Sequence, residues 1–357
     1  MSEMKHDAFV IGSGDPILIT GATGFIGLKL VECLLTLGFH NLRCFVRSSS
    51  KVNRLERVFR RREDRSRVQV VKGNLLSRED CMTATRDVTV LFHLAAGRGE
   101  KSFPEAYMNS VVTTRNLLEA ALRHLCLRRF VNVSSFSVYT NTQKSRWRVL
   151  DESCPVERHP EDRGDAYCFA KAKQDEIVTE YGKKFGIPFV IVRPGYVVGP
   201  GNEAITGRVG TGTFGLFLHL GGSNQIPLTY VDNCAEAIAL AGLARGVDGE
   251  AFNVVDDDLP SSRRFLRLYK ANVRQFHSLY VPHLVSYVLC YFWERYSNWS
   301  EGQLEPIFNR KAWHAAWKKT RYSNDKLKLR TGWLPRVSMA DGLNRYFEAC
   351  RGGGCDA

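Results

Sequence analysis

The chain has 357 residues, 44% of them hydrophobic, and a formal net charge of +13. This hydrophobic content is enough for the core of one large domain or two modest ones, which argues against a disordered chain. No apolar run is long enough to span a membrane, and the first residues lack the apolar core of a secretory signal, so we expect a cytoplasmic protein without an integral membrane segment.

The positive charge raises the question of a nucleic-acid partner. Much of the excess lies in the segment 54–67, where acidic residues interrupt the basic ones, as on a solvated helix face, and where a single aromatic residue, Phe59, gives no aromatic interleaving. We therefore expect no nucleic-acid binding and attribute the charge to attraction of anionic small molecules. The ten cysteines show no CxxC spacing, which predicts free thiols and no metal site.

Apolar segments alternate with helical ones from residue 16 onward. A strand at 16–20 is followed by a glycine-rich turn and a helix that ends at Gly38, and four further strand and helix units follow, with helices at 105–124 and around Tyr167. Nearly all-apolar strands that alternate with helices predict a parallel sheet covered on both faces. The sequence therefore predicts an α/β fold, a Rossmann-type doubly wound domain over residues 1–200.

The texture changes after Pro200. The next segment is rich in glycine and is predicted to be a loop, residues near 226–256 read as a strand, a helix and one more strand of the sheet, and 261–320 is aromatic, basic and predicted helical. We interpret residues 201–350 as a smaller substrate-binding lobe that closes over the carboxyl ends of the strands. The tail 351–357 is predicted to be disordered.

Three glycines, Gly21, Gly24 and Gly27, stand between the first strand and the first helix. This context predicts a dinucleotide site, because glycines allow a tight turn, close approach of a pyrophosphate and close packing of the helix. The second strand ends at Arg47 and Ser48 with no acidic residue nearby, which favours NADP over NAD as cofactor.

Tyr167 and Lys171 lie four residues apart on a predicted helix, so their side chains share a face. The same interval separates Tyr322 from Lys326. Spacing alone therefore cannot identify a catalytic pair.

Several motifs in chain order carry a resemblance to a known family. They are TGATGFIG, KGNLL (72–76), FHLAAG (92–97), NSVVTTRNLLEAA (from Asn109), VSSFSVY (133–139), RPGYVVGPG (193–201), YVDNCAEA and TGWLPRVS. Together they resemble the extended short-chain dehydrogenase/reductase superfamily, which includes nucleotide-sugar epimerases and dehydratases and the 3β-hydroxysteroid dehydrogenases. The likeness covers nearly the whole chain.

The resemblance implies a catalytic set of Ser135, Tyr167 and Lys171, with Asn109 orienting the lysine. In this chemistry the lysine ammonium favours the phenolate of a tyrosine, whose pKa is ordinarily near 10, and the serine hydrogen-bonds the substrate oxygen. The implied cofactor contacts are Gly21, Thr23, Gly24, Phe25, Ile26, Gly27, Arg47, Ser48, Asn74, Leu75, Leu94, Ala95, Ala96, Val133, Tyr167, Lys171, Pro194 and Val197. The implied substrate contacts are Gly97, Ser135, Ser137 and Tyr196.

Two departures from the family pattern bear on the ligands. The usual Gly-Asp before the third helix is Gly73-Asn74, which replaces a carboxylate with an amide that can still accept a hydrogen bond. Nucleotide-sugar epimerases commonly carry an Asn in the strand after the YxxxK helix, where this chain has Gly195 and Tyr196.

The substrate stays open between two enzyme classes. A lipophilic, hydroxysteroid-like alcohol or ketone is favoured by the motifs at 193–201 and by the apolar helix at 281–296, which offers a face to a greasy ligand or a membrane surface, although such a stripe is more often core. A nucleotide-sugar epimerase or dehydratase is favoured by basic segments that could meet a diphosphate. A third interpretation is a catalytically silent NADP-binding sensor. The resemblance also implies a homodimer through the helices at 105–124 and 166–185.

Overall fold

The computed structural model describes residues 9–60, 68–97, 102–142, 149–213, 215–300, 303–304 and 308–352. The strands, in chain order, are β1 (Ile17–Thr20), β2 (Leu42–Val46), β3 (Val68–Lys72), β4 (Val90–His93), β5 (Arg129–Val133), β6 (Val149–Leu150), β7 (Phe189–Pro194), β8 (Tyr196–Val198), β9 (Gly210–Thr213), β10 (Leu216–His219), β11 (Leu228–Tyr230), β12 (Glu250–Val254), β13 (Ser278–Tyr280) and β14 (Arg321–Tyr322).

The helices are α1 (Phe25–Thr36), α2 (Asn53–Arg60), α3 (Arg78–Thr85), α4 (Phe103–Ala106), α5 (Thr113–His124), α6 (Ala166–Phe185), α7 (Val231–Leu243), α8 (Ser262–Asn272), α9 (His283–Trp299), α10 (Arg310–Trp317), α11 (Asp325–Thr331) and α12 (Met339–Gly352). A π-helical turn at Tyr107–Val112 joins α4 to α5, and 3₁₀ turns lie at Phe136–Val138 and Pro160–Arg163.

Within the described residues, seven parallel strands form the central sheet in the order β3-β2-β1-β4-β5-β7-β12. Both faces of this sheet are apolar. In β1, Ile17 and Ile19 belong to one buried cluster with residues of α1 and α7, whereas Leu18 belongs to a second cluster with residues of α3, α5 and α6. Because side chains alternate along a strand, an all-apolar strand needs a helical layer on each face. The predicted doubly wound α/β fold is confirmed.

The strand order reverses between β1 and β4. In doubly wound sheets the crevice at such a reversal, outside the carboxyl ends of the strands, is where ligands bind. The loops that follow β1 and β4 are therefore the part of the fold in which a nucleotide site is expected.

The later part of the chain adds a smaller layer with its own core. Val198, Leu228, Phe265 and Tyr346 are buried together there, and β9 and β10 form an antiparallel pair to which β13 adds in parallel. The prediction of an unbroken loop in the glycine-rich segment is wrong for Gly210–Thr213, because this stretch pairs with β10.

β12 joins the central sheet beside β7 although it lies far along the chain. The domain boundary at residue 200 stays a prediction. The last helix runs to Gly352, so the first two residues of the expected disordered tail are helical, and 353–357 lie outside the described residues. Among the residues that the structure covers, no helix is both long and apolar enough to cross a bilayer.

Candidate active site

The glycine turn after β1 is too tight for side chains. Gly21 has φ +72°, and a Cβ there would lie 2.9 Å from the backbone nitrogen of Ala95. A Cβ on Gly27 would lie 2.1 Å from the carbonyl oxygen of Gly21, and the Gly24 N–H donates to that same oxygen over 2.9 Å. Glycine at 21 and 27 thus brings α1 against the turn and brings the turn against the loop after β4.

The N-terminus of α1 suits an anionic ligand. Its N-cap is Gly24, which gives no side-chain cap, and its first turn contains no acidic residue, whereas side chains cap α3, α6, α8 and α10. The backbone N–H groups of a first helical turn have no partner within the helix and carry the positive end of the helix dipole. Thr23 directly precedes the N-cap, and Phe25 and Ile26 begin the helix, so these three predicted cofactor contacts lie at its N-terminus.

Arg47 and Ser48 directly follow β2 and are exposed at the carboxyl edge of the sheet, one strand from the glycine turn. The Ser50 N–H donates to the Arg47 carbonyl over 2.9 Å and turns the chain there. This placement leaves the guanidinium of Arg47 in solvent beside the edge where the adenosine ribose is expected.

Asn74, which replaces the usual aspartate, forms hydrogen bonds within the turn that follows β3. Its Oδ1 accepts from the Leu76 N–H over 3.0 Å, and its backbone N–H donates to Asp80 Oδ2 over 2.6 Å. Because a carbonyl oxygen has two lone pairs, Asn74 can still accept a second hydrogen bond. Leu75 is buried, and its carbonyl accepts from Asn116 Nδ2 over 2.9 Å. Asp80 is not among the residues predicted from the sequence.

The loop after β4 is tied to its neighbours on both sides. The Leu94 N–H donates to the Thr20 carbonyl over 3.3 Å and the Ala95 N–H donates to Thr20 Oγ1 over 3.3 Å. Two residues further on, the Gly97 N–H donates to Ser110 Oγ over 3.2 Å. The segment Leu94, Ala95, Ala96 and Gly97 thus bridges the glycine turn and the π-helical turn.

That π-helical turn contains Asn109, whose carbonyl accepts from Thr113 Oγ1 over 2.9 Å. The helix predicted at 105–124 is present, with this wider turn inserted. Such insertions occur frequently at functional sites because they reorient the side chains on one turn of a helix.

A buried polar network under the site was not found by sequence reasoning. His93 hydrogen-bonds Thr20 Oγ1 through Nδ1 (2.8 Å) and Thr114 Oγ1 through Nε2 (2.9 Å), and Gln174 Nε2 donates to the same threonine over 2.9 Å. Burial, with a smaller contribution from the charge of Lys171, lowers the pKa of His93 to about 3. The neutral imidazole therefore joins β1, β4, α5 and α6 behind the site.

Ser135 lies just beyond β5, the strand of the main sheet that ends at Val133, and is the N-cap of the 3₁₀ turn. Its Oγ accepts from the Ser137 N–H over 3.2 Å. The buried guanidinium of Arg163 donates to the carbonyls of Ser137 and Tyr139. These bonds fix the loop that presents the Ser135 hydroxyl and the Ser137 side chain at the carboxyl edge.

Tyr167 and Lys171 stand on the first turns of α6, which packs against this 3₁₀ turn. Asp165 caps the helix, since its Oδ1 accepts from the N–H groups of Tyr167 (2.9 Å) and Cys168 (3.2 Å). The tyrosine is partly exposed, whereas Lys171 is buried and its Nζ donates to the Val133 carbonyl over 2.7 Å. Lys171 therefore lies beside the strand end that precedes Ser135, and Tyr167 stands one turn earlier on the same helix.

Lys171 is buried above an ion pair. Burial lowers its pKa from 10.5 to about 8, although the nearby Asp175 carboxylate acts in the opposite direction. Asp175, one turn further along α6, accepts from Arg193 Nε over 3.1 Å and from Asn132 Nδ2 over 3.0 Å. Arg193 in turn donates to the Tyr139 hydroxyl over 2.9 Å. The carboxylate is thereby held close to the lysine.

Tyr322 and Lys326, the second pair at a spacing of four residues, contact different partners. Lys326 forms an ion pair with Glu250 at 2.6 Å, whereas the Tyr322 ring lies 5.6 Å from the Phe136 ring and its hydroxyl accepts from Arg208 Nη1 over 3.4 Å. These two side chains do not form a joint site, so the structure separates two pairs that sequence spacing could not distinguish.

Pro194, Tyr196 and Val197 lie where β7 gives way to β8, at the same carboxyl edge. The intervening Gly195 has no room for a side chain, because a Cβ would lie 2.2 Å from the Pro227 carbonyl oxygen. The Tyr196 hydroxyl donates to the Ala204 carbonyl over 2.7 Å. This tyrosine thus ties the sheet edge to the segment that follows β8.

The parallel sheet with its reversed strand order and the glycine turn before α1 define a dinucleotide-binding enzyme of the extended short-chain dehydrogenase/reductase type. The chain belongs to the NAD dependent epimerase/dehydratase family, which matches residues 17–254.

The curated relatives include dehydratases and reductases. A trifunctional UDP-glucose 4,6-dehydratase/UDP-4-keto-6-deoxy-D-glucose 3,5-epimerase/UDP-4-keto-L-rhamnose-reductase of Arabidopsis thaliana is 27% identical over 67% of this chain, which spans only 36% of that longer protein. A 4-hydroxy-2-methyl-3-oxo-4-farnesyl-3,4-dihydroquinoline-1-oxide ketoreductase of Stigmatella aurantiaca is 24% identical over 93% of this chain and 95% of its own.

A solved structure shows the same fold. The dTDP-glucose 4,6-dehydratase DesIV of Streptomyces venezuelae, crystallised with NAD and TYD, has a TM-score of 0.70 at 20% identity and covers 95% of this chain and 97% of its own.

Proposed function

We propose that this chain is an oxidoreductase that transfers a hydride and a proton between NADP(H) and a secondary alcohol or ketone of a lipophilic substrate. The observation that carries the proposal is the arrangement of Ser135, Tyr167 and Lys171 at the carboxyl edge of the sheet, beyond β5, which lies two strands from the β1 strand that precedes the glycine turn. The nicotinamide ring of the bound cofactor supplies or accepts the hydride.

In this proposal Tyr167 moves the proton. A phenol ordinarily titrates near 10 and needs an adjacent cation to exchange protons at neutral pH. Lys171 reaches the same helix face one turn away and supplies the positive charge. Its contact with the Val133 carbonyl, 2.7 Å long, keeps the ammonium at the strand end from which Ser135 follows.

Ser135 then holds the substrate oxygen. Its hydroxyl is positioned by the N-cap geometry and by the loop that Arg163 braces from behind. Asn109, on the π-helical turn, orients the lysine, and Gly97, Ser137 and Tyr196 border the substrate. These roles rest on the resemblance together with the positions described above.

The glycine turn fits the pyrophosphate of the cofactor. A Cβ at Gly21 or Gly27 would overlap backbone atoms, and the first turn of α1 offers N–H groups without a side-chain cap. Arg47 and Ser48 would hold the 2′-phosphate of NADP, and Asn74 and Leu75 would border the adenine. The preference for NADP over NAD is part of the proposal, although the family to which the chain belongs is described as NAD dependent.

A lipophilic substrate is supported by the full-length match to a ketoreductase whose named substrate carries a farnesyl group. The competing proposal, a nucleotide-sugar epimerase or dehydratase, is supported by the match to the plant trifunctional enzyme. The two differ in cofactor use, since an epimerase regenerates its cofactor and a dehydrogenase consumes it stoichiometrically. The predicted homodimer through α5 and α6 stays a prediction.

The experiment replaces Tyr167 with Phe and measures NADPH binding by fluorescence and turnover by absorbance with panels of hydroxysteroids, isoprenoid ketones and UDP-sugars. Binding should be retained within about threefold, whereas turnover should fall by two to four orders of magnitude, as is typical when a general acid or base is lost.

Tyr181→Phe is a matched control on the same helix. It removes a hydroxyl that donates to Glu119 over 3.2 Å at about 21 Å from Tyr167 along the helix axis, and it should keep full turnover. Undiminished turnover of Tyr167→Phe would refute the assignment of the proton-transfer residue. Turnover of a UDP-sugar without net change in NADPH would favour the epimerase.

A further inference from the structure

Helix α9 is turned with its apolar face outward. The residues buried against the rest of the protein are small or polar, namely Ser286, Cys290 and Ser297. Outward-facing residues include Leu284 and Trp299, each 76% exposed, and Phe292, 62% exposed. A helix at the surface of a globular protein ordinarily shows the opposite pattern.

The inner contacts fix this orientation. Ser286 Oγ accepts from Trp313 Nε1 over 2.9 Å, and Ser297 Oγ donates to the Leu304 carbonyl. Glu294 forms a two-pronged ion pair with Arg310 of α10, at 2.9 and 3.0 Å. Rotation of α9 would break these bonds, so the apolar face stays at the surface.

The exposed apolar surface continues beyond the helix. Leu279 and Tyr280 of β13 are exposed directly before α9, and Phe308 is exposed after it. A cavity of about 420 Å³ lies between α9 and β10 and is lined by Leu289, Phe292, Trp293 and Tyr296 of the helix. Contiguous apolar surface of this kind marks a site of interaction.

The sequence before and within α9 is strongly basic. In the sequence, residues 259–300 include six arginines and lysines and a single acidic residue, Glu294, which forms an ion pair with Arg310. The basic residues are Arg263, Arg264, Arg267, Lys270, Arg274 and Arg295. Arg263 lies over the Tyr280 ring, 5.4 Å from its centroid, and Arg295 belongs to α9 itself. Arg263 therefore lies at the border of the apolar face, and Arg295 stands among its exposed residues, where a long side chain can keep its charge in water.

We infer that α9 docks this protein on the surface of an anionic lipid bilayer. The helix lies in the plane of the interface, with Leu284, Phe292 and Trp299 inserted among the upper parts of the acyl chains and the bordering arginines at the phosphate level. Tryptophan and tyrosine, which are concentrated on this face, prefer the boundary between the headgroups and the acyl chains of a bilayer. The helix is about 25 Å long, which suits a contact along the surface.

Charge decides between a bilayer and a second copy of the chain. In a twofold symmetric dimer the same patch meets itself, so the bordering arginines of two copies would face each other without acidic partners from this segment. An anionic bilayer matches both the apolar face and its cationic border. This inference concerns a surface outside the proposed catalytic residues and does not depend on the proposed reaction.

The test is cosedimentation of the full chain with vesicles of phosphatidylcholine containing about 30% phosphatidylserine, and with vesicles of phosphatidylcholine alone. We expect wild-type protein to partition at least tenfold more strongly onto the anionic vesicles. The double variant Leu284→Asp/Trp299→Asp should bind at least tenfold more weakly, because two inserted apolar groups become charged. Arg263→Glu/Arg295→Glu should lose most of the preference for phosphatidylserine, since each basic residue near the surface contributes roughly fivefold.

A matched control is Leu329→Asp/Leu334→Asp. These leucines are also highly exposed but lie on and after α11, so binding should be unchanged. Circular dichroism verifies that each variant is folded. The inference is overturned if wild-type protein stays in the supernatant with anionic vesicles, if the aspartate variant of α9 binds as well as wild type, or if light scattering shows a dimer that this variant dissociates.

Discussion

Lys171→Met should make the protein more stable at neutral pH while removing its activity. In the folded chain the pKa of Lys171 is about 8 and its ordinary value is 10.5. Each pH unit between these values corresponds to about 1.4 kcal/mol, so a charged lysine at this position costs about 3 kcal/mol of folding free energy. Methionine fills a similar volume without a charge.

One contact offsets part of this gain. The lysine donates to the Val133 carbonyl, and its loss costs about 1 kcal/mol. Asp175 keeps its ion pair with Arg193 at 3.1 Å, so the carboxylate is not left alone. The net expectation is that Lys171→Met raises the free energy of unfolding by about 2 kcal/mol at pH 7.

The pH dependence gives the sharper measurement. Between pH 8 and 10.5 the unfolded wild-type chain binds more protons at residue 171 than the folded chain, so the lysine penalty disappears as the pH rises through this window. Urea unfolding at pH 7, 8, 9 and 10 should therefore show a stability advantage for the variant that is largest at pH 7 and shrinks toward pH 10. A variant that is less stable than wild type at pH 7, or a difference that stays constant with pH, would refute the reasoning.

Two further predictions test the nucleotide site. Arg47→Ala should weaken NADPH binding by about ten- to a hundredfold, the range of a lost charge-assisted hydrogen bond to a phosphate, and should leave NADH binding unchanged in the same fluorescence titration; equal losses for both nucleotides would contradict a role at the 2′-phosphate. Gly27→Ala should lower the free energy of unfolding by about 1–3 kcal/mol and weaken the binding of both nucleotides, because its Cβ would lie 2.1 Å from the Gly21 carbonyl oxygen. The control is Gly212→Ala, where nothing lies within 4 Å of the added Cβ. Urea unfolding and the fluorescence titration should show that this control changes neither the stability nor the binding.

Local patterns predicted the nucleotide-binding half of the fold well. The apolar residues of β1 and the glycines that follow it are close together in the sequence, so a short segment is enough to predict the strand and the turn. The position of Ser135 just after a buried strand was visible for the same reason. The catalytic assignment itself stays a prediction.

Features that depend on distant partners could not be predicted. The hydrogen bonds of His93 join residues from Thr20 to Gln174, so no short stretch of sequence contains them. Periodicity in α9 shows which residues share a face but not which face is buried. Its inner face is made of Ser286, Cys290 and Ser297, which is shown by their burial and by the contacts of the two serines with Trp313 and Leu304.

Because β12 pairs with β7, the central sheet is completed only late in the synthesis of the chain. β12 and α7 are translated after residue 230, yet β12 covers the edge of β7 and α7 packs along α1 beside the glycine turn. On the ribosome, the first 200 residues would carry an open strand edge and an uncovered apolar helix until residue 254 emerges. We therefore expect the first 200 residues on their own to expose the edge of β7 and the apolar surface of α1, and nascent chains stalled before β12 to need chaperones.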